Sequence, residues 1–399
     1  MFVPVFSALY LVLNFFIAAE LYLWIKTFRN PFRWRKAKVI FVGGYIILTS
    51  LIFVAYFIPD STAKMVFSRI SNYYQGFLIN LSMVLIASHI LAFILKCCKA
   101  ITKDFFKSGK TKFMAGWICA AISIGFSLYG FINANNIHIS SYDVNINKKG
   151  EDMKIVLVAD THLGYSLGIR NMKDMVKKIN NLNADIVCFA GDIFDNDFDS
   201  LDDPEGIKKE FSSIKSKYGV YACWGNHDVA DKLFGGFTVN PNGIKKQDDR
   251  MTKFLKDSGI ILLADEEMVV EDKFTIIGRL DLSKPGTDDE KRKNIEEFKF
   301  DKSKLVIDLD HEPAELQETA DAGIDLDLCG HTHNGQFFPL TLGIGFIWEN
   351  PAGYIQKKAS DGHIMHNIVT EGVGVYGPFM RTFTHSEIAE INVHFSNNQ

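Results

Sequence analysis

The first third of the chain carries four apolar stretches, near residues 2–25, 39–58, 74–95 and 113–132. Each is about 20 residues long, the length a helix needs to cross the roughly 30 Å hydrocarbon core of a bilayer. No water reaches a backbone amide there, so an isolated span of this kind has to be helical. The chain is therefore expected to begin with four transmembrane α-helices. From about residue 143 the composition turns to that of a water-exposed α/β domain. We divide the chain into a transmembrane region, residues 1–136, and a second domain, residues 137–399. The first stretch lacks the basic flank of a signal peptide and is followed by three more spans.

Loop charge orients such a chain. Lys26, Arg29, Arg33, Arg35, Lys36 and Lys38 follow the first span, and Lys96, Lys99, Lys103, Lys107, Lys110 and Lys112 follow the third. Only Lys64 and Arg69 lie between the second and third. Basic loops stay in the cytoplasm, so both termini and the whole second domain are expected on the extracytoplasmic side of a cell membrane. Losing one span would invert this. Two ionisable side chains lie inside the spans. Glu20 is expected to reach the headgroups. His89 is expected to bond to a neighbouring helix, or through Ser82 or Ser88 of its own span.

In the second domain, apolar runs end in turn residues and helical patterns follow. Strands are expected at Ile155–Ala159, Asp185–Ala190, Val220–Trp224, Leu305–Leu309 and Leu326–Cys329, and helices at Asn171–Leu182, Pro204–Lys217 and Pro313–Ala322. Alternating strands and helices indicate an α/β fold with mixed sheets. Runs as apolar as Ile155–Ala159 indicate burial on both faces. Residues 231–250 read as one long loop. A net charge of -4 gives no support to a long nucleic-acid partner. None of the six cysteines forms a CxxC pair, so no zinc knuckle or disulfide framework is expected.

Polar residues cluster where these strands end, the place at which open α/β sheets bind ligands. They are Asp160-Thr-His162, Gly191-Asp192, Gly225-Asn-His-Asp228, Asp310-His311-Glu-Pro313 and Gly330-His-Thr-His333. Asp160, His162, Asp192, Asn226, His311, His331 and His333 offer hard oxygen and imidazole donors without a thiolate. Such a set suits manganese, iron or zinc in a reactive site better than a structural zinc site.

The order Asp-x-His, Gly-Asp, Gly-Asn-His-Asp, His, Gly-His-x-His resembles the calcineurin-like metallophosphoesterases over roughly residues 150–335. The runs at 310–313 and 330–336, and Glu371-Gly-Val-Gly-Val-Tyr-Gly-Pro378 with Arg381 and Glu387-Ile388, look like a bacterial membrane-associated branch with YkuE- and YaeI-type phosphodiesterases. One departure is Asn334, where that branch commonly has glycine. The resemblance implies a four-layer α/β/β/α sandwich and two divalent metal ions. Asp160, His162 and His333 would bind the first, Asn226, His311 and His331 the second, and Asp192 would bridge them. It further implies that His227 faces the leaving group as general acid or charge stabiliser and that Asp228 orients its ring. Two aspartates and a bridging hydroxide would leave the ion pair one net positive charge with which to attract a phosphate. Such a pair clamps the attacking and leaving oxygens and ionises bound water near neutral pH.

Gly372-Val-Gly-Val-Tyr-Gly377 matches GxGxxG but precedes a proline rather than opening a helix, so no dinucleotide site is expected. Arg279 and Arg381 are candidates for holding a substrate phosphate or for a solvated surface role. His138, His363, His366, His385 and His394 show no metal spacing. Phe234-Gly-Gly-Phe237 is either a lipid-dipping tip or a buried loop anchor. The expected activity is hydrolysis of a phosphodiester, pyrophosphate or phosphomonoester, with a lipid or envelope precursor as candidate substrate and the bilayer as partner. A nucleotide phosphodiesterase or nuclease, and a non-catalytic metal-binding scaffold, are the competing readings.

Overall fold

The computed structural model describes residues 2–28, 31–99, 103–239, 246–287 and 291–396. The chain divides into two compact units. One comprises Met1–Ile132, Leu233–Pro241 and Gly377–Met380; the other comprises Asn133–Lys232, Asn242–Tyr376 and Arg381–Gln399.

The first unit contains α1 (Phe2–Ile25), α2 (Pro31–Phe57), α3 (Thr62–Cys97), the short α4 (Lys103–Lys107) and α5 (Gly109–Ala134). α1, α2, α3 and α5 are long and apolar enough to cross a membrane. α3 has 36 residues, about 54 Å at 1.5 Å per residue, so only part of it fits within the hydrocarbon core. Polar side chains join these helices. Asn14 on α1 accepts through Oδ1 from the hydroxyls of Tyr45 (3.0 Å), Thr49 (3.1 Å) and Tyr74 (2.6 Å), which lie on α2 and α3. Glu20 does not stand alone near the headgroups: its Oε1 meets His89 Nε2 at 3.1 Å. Ser82 and Ser88 bond instead to carbonyls of their own helix, at Leu78 and Leu85. A serine hydroxyl reaches the carbonyl one turn back more readily than it reaches a ring on its own helix surface.

Part of the expected long loop folds into this unit. A two-stranded hairpin, β5 (Leu233–Phe234) with β6 (Phe237–Thr238), buries Phe234 to 2% exposure. Its ring lies 5.7, 5.6 and 5.2 Å from those of Phe6, Phe53 and Tyr56. Phe234 is thus a buried anchor. Pro241 and Gly243 of the same expected loop lie outside the described residues. Gly377–Met380 also joins this unit, with Phe379 N donating to Asn72 O at 3.1 Å.

The second unit is built on two six-stranded sheets. The first runs β1 (Ile137–Ile146), β14 (Ser386–Phe395), β2 (Met153–Val158), β3 (Ile186–Ala190), β4 (Val220–Cys223), β7 (Ile261–Leu262). The second runs β12 (Gly353–Lys358), β13 (Ile364–Val369), β11 (Leu326–Cys329), β10 (Leu305–Leu309), β9 (Phe274–Gly278), β8 (Glu266–Val270). β2, β3, β4 and β7 are mutually parallel, as are β9, β10, β11 and β13.

Strand residues point alternately to opposite faces. Ile155, Leu157, Ile186 and Cys188 therefore meet Phe274, Ile276, Ile307 and Leu328 in a core between the sheets. Val156, Val158, Val187 and Phe189 face the other way, into a core shared with α6 (Ile169–Leu182), α7 (Pro204–Phe211) and α8 (Asp249–Asp257). Ile277 and Val306 pack on α9 (Leu316–Ala322) beyond the second sheet. The result is the helix–sheet–sheet–helix sandwich expected from the sequence. The helix expected over 204–217 ends at Phe211, where Ser212 and Ser213 turn their hydroxyls onto the Lys208 and Glu210 carbonyls. Such bonds compete with helix propagation.

Candidate metal centre

Every candidate donor sits in the turn just beyond a strand: Asp160 and His162 after β2, Asp192 after β3, Asn226 after β4, His311 after β10, His331 and His333 after β11. The two sheets thus aim five chain turns at one place. Asp160, His162, Asp192, His331 and His333 all have positive φ, from 43° to 71°. L-residues enter that region at a cost, and strain of this kind collects at functional sites. Glycines allow the turns to close. A Cβ on Gly225 would lie 2.3 Å from Asp192 Oδ1, and one on Gly372 would lie 2.7 Å from Asp160 Cβ. The GxGxxG match thus has a packing cause, since its first glycine lets the chain pass against Asp160.

The donors fall into two overlapping sets. In the first, His162 Nε2 faces His333 Nε2 at 3.1 Å, and His333 Nε2 lies 3.4 Å from Asp160 Oδ1. In the second, Asn226 Oδ1 lies 2.9 Å from His331 Nδ1 and 3.1 Å from His311 Nε2. Asp192 Oδ2 lies 3.2 Å from His311 Nε2 and 3.7 Å from His162 Nε2, which puts one carboxylate beside both sets. Ring nitrogens that face each other across about 3 Å, with carboxylates alongside and almost no solvent, are a donor set suited to divalent cations. Asp160, His162 and His333, and separately Asp160, Asp192 and His311, are grouped closely enough to hold an ion. His311 Nδ1 lies 2.8 Å from the Ala190 carbonyl, which fixes that nitrogen as the N–H and leaves Nε2 as the ligand atom.

Burial and charge oppose each other here. Burial would raise Asp192, but the His311 and His227 rings outweigh it and hold the carboxyl well below its usual range. Burial, with the Arg381 and His162 charges adding to it, pulls His333 down to about 4, against the pull of Asp160. Burial and the Asp192 charge push Asp228 up to about 8.

The expected partner of His227 is different in the structure. Asp228 does not orient the ring: its Oδ1 accepts from Phe194 N and its Oδ2 from Gly225 N, each at 2.8 Å. It pins the two turns that carry Asp192 and Asn226. His227 Nδ1 instead lies 3.1 Å from Asp195 Oδ1. The same oxygen is 3.5 Å from His162 Nδ1. His227 is tied to the centre through its backbone as well, with N donating to Asp192 Oδ1 at 2.7 Å. Asp195 is a second carboxylate three residues after Asp192 in the same turn, and that spacing is the sequence signal for it.

Two aromatic rings border the centre and were not singled out from the sequence. Tyr376 lies 5.0 Å from the His333 ring, 5.9 Å from His162 and 6.2 Å from His227. Trp348 stands edge-on to His331 at 5.1 Å. Neither arginine named as a phosphate holder is open to substrate or solvent. Arg279 is 1% exposed and bonds to Asp310 and Glu315. Arg381 is fully buried, donates to the carbonyls of Glu371, Gly372 and Gly374, and lies 3.0 Å from His333 Nδ1. A guanidinium with five donors and carbonyls in reach is held inside rather than offered outward. Asn334 has φ 50°, and its Nδ2 donates to Glu371 Oε1 at 2.7 Å. Asparagine tolerates that backbone better than most residues with a side chain.

The remaining histidines lie in other settings. His366 Nδ1 lies 2.7 Å from Tyr354 Oη, and His363 Nε2 lies 2.7 Å from the Ile324 carbonyl. His394 pairs with Asp152, and the His138 and His385 rings lie 4.7 Å apart.

A family model for calcineurin-like phosphoesterases matches residues 153–335. The chain is 28% identical over 281 residues to an uncharacterized metallophosphoesterase of Campylobacter jejuni, the match covering 67% of each protein. It is 28% identical over 284 residues to a zebrafish (Danio rerio) transmembrane protein with a metallophosphoesterase domain, covering 66% of this chain and 59% of that one. Over 250 residues it is 26% identical to the uncharacterized metallophosphoesterase YkuE of Bacillus subtilis, covering 60% of this chain and 78% of that one. With both donor sets in the turns that the family model spans, residues 153–335 of the chain form a calcineurin-like metallophosphoesterase domain.

Proposed function

We propose that the protein is a membrane-anchored phosphoesterase that hydrolyses a phosphodiester, pyrophosphate or phosphomonoester with two divalent cations. The observation that carries the reading is Asp192, whose Oδ2 stands 3.2 Å from His311 in one donor set and 3.7 Å from His162 in the other. Bound cations would neutralise phosphate charge and lower the pKa of a water at the site. Asp160, His162 and His333 would hold one, and Asn226, His311 and His331 the other. His227, at the edge of the centre and backed by Asp195, is suited to hold a proton for the leaving oxygen. The Asp195 contact keeps Nδ1 as the N–H side of the ring, so Nε2 is the atom that faces substrate. An intact His–Asp pair beside the donors favours catalysis over a scaffold that only binds metal.

The four apolar helices support residence in a membrane, and the basic loops support an extracytoplasmic catalytic domain. A lipid-linked phosphate ester is the substrate class that an anchored enzyme meets at high local concentration. The test uses purified full-length protein with a chromogenic phosphodiester, then a panel of phospholipids and nucleotides. Turnover that a chelator abolishes and added manganese, iron or zinc restores is the expected result. No turnover with any of these metals, in a protein that binds them, would leave the scaffold reading in its place.

A further inference from the structure

A groove runs along the helical unit between α1 and α2, with a volume of about 670 Å³. Volumes of about 300–1,000 Å³ are typical of sites that hold a small molecule. Its walls are almost wholly hydrocarbon: Leu11, Phe15 and Ala18 on α1, Val42, Ile46 and Phe53 on α2. From Leu11 to Ile25 the groove follows α1 for 14 residue steps, about 21 Å at 1.5 Å each. That is long enough for an extended acyl chain within a core of roughly 30 Å. The bonds from Tyr45 and Thr49 to Asn14 clamp the two helices together part-way along, so the groove is a fixed feature of this helix pair.

Its two ends differ. Lys38 and Tyr22 line one end. There the Lys26 ammonium lies 4.5 Å from the centre of the Tyr22 ring and the Lys38 ammonium 4.6 Å from it. Two ammonium groups, one from the turn just past α1 and one from α2, thus converge on a single ring. An aromatic face attracts cations weakly and leaves their charge in place. Among the described residues neither ammonium forms an ion pair with a carboxylate. Glu20 is the sole acid in the first 59 residues, and it is committed to His89. Arg35 and Lys36 add further positive charge to the same end, both exposed.

We propose that this groove is a binding site for one anionic glycerophospholipid, an acyl chain lying between α1 and α2 and the headgroup phosphate held between Lys26 and Lys38. The inference does not depend on the phosphoesterase reading. Charge selects the occupant: a neutral lipid would fill the groove equally well but leave the paired ammonium groups uncompensated, and a zwitterionic one would bring its own cation beside them.

The test is native mass spectrometry of full-length protein released from micelles that contain equal amounts of phosphatidylglycerol and phosphatidylcholine with identical chains. The wild type is expected to retain phosphatidylglycerol preferentially. In Lys26→Gln/Lys38→Gln that preference should fall by about tenfold or more, the order that two basic residues at a charged membrane surface supply. Lys96→Gln/Lys112→Gln removes as much charge from the other basic loop and should leave the preference intact. Ala18→Phe fills the groove without altering charge and should lower retention of both lipids. The proposal is overturned if Lys26→Gln/Lys38→Gln keeps the wild-type preference, or if Lys96→Gln/Lys112→Gln loses as much. Full retention of both lipids by Ala18→Phe would equally overturn it, by placing the bound lipid elsewhere.

Discussion

At the scale of single residues, the proposed function gives the pair His227–Asp195 the handling of the leaving group. His227 Nδ1 and Asp195 Oδ1 are 3.1 Å apart, and the ring is 9% exposed at the edge of the donors. His227→Ala should retain metal and lose about 10²–10⁴-fold in rate on a substrate with a basic leaving group. A nitrophenolate leaves without a proton and should suffer much less. Asp195→Asn should show the same leaving-group dependence in milder form, since it unsettles the ring without removing it. Steady-state rates on a pair of esters differing in leaving-group pKa, with metal content measured alongside, check both. Equal losses on the two esters would reduce His227 to a stabiliser of phosphate charge. Asp192 makes a different demand. Asp192→Asn should leave the sheets folded yet strip metal and nearly all turnover, because a neutral amide is a poor bridge between two cations. Full occupancy in that variant, by elemental analysis, would sink the bridging assignment.

At the scale of elements, the centre depends on how closely β3 and β4 deliver their turns. Gly225 follows β4, and a Cβ there would come within 2.3 Å of Asp192 Oδ1 and 2.9 Å of His311 Cγ. Gly225→Ala must therefore push a β3 turn away from a β10 turn, although neither donor is altered. Supporting residues typically account for about 10–100-fold in metal affinity. A loss of that size in a metal titration, with the far-ultraviolet circular dichroism unchanged, is the expected outcome. Unchanged affinity would show that the turns give way without cost. Strands of this kind were legible where both faces are buried. Leu305–Leu309 and Leu326–Cys329 read as short, mostly apolar runs, each with one aspartate (Asp308 and Asp327), and form as β10 and β11 with those bounds. β1 and β14, ten residues each, were not legible. Their buried positions are interleaved with Ser, Asn, Asp and His, and it is pairing with each other along residues 137–146 and 386–395, and of β14 with β2, that makes them strands.

At the scale of the whole molecule, topology is the open quantity. If the four helices all cross, the positive-inside rule would put both chain ends on the extracytoplasmic side, opposite the two strongly basic loops. Reporter fusions after residue 140 and at the C-terminus, one active only in the cytoplasm and one only outside it, should agree on the outside. Cytoplasmic signal at both positions would mean four crossings in the opposite orientation or an odd number of crossings, and would move the domain to the other compartment.

The sequence by itself determined the membrane-spanning class of the first third, because helix formation in lipid follows from composition over about 20 residues. It determined also which donors stand at strand ends, because strand and turn signals are local. Side-chain pairing is not local, and only the tertiary structure decided it. Asp195 lies 32 residues from His227 in sequence, yet it takes the ring contact expected of the adjacent Asp228. The backbone turn after β4 aims the Asp228 carboxylate at amides instead. Glu20 finds His89 and Arg381 finds carbonyls of the 371–374 turn for the same reason. A buried charge takes whatever partner the packed chain brings within reach, and that reach is a property of the fold.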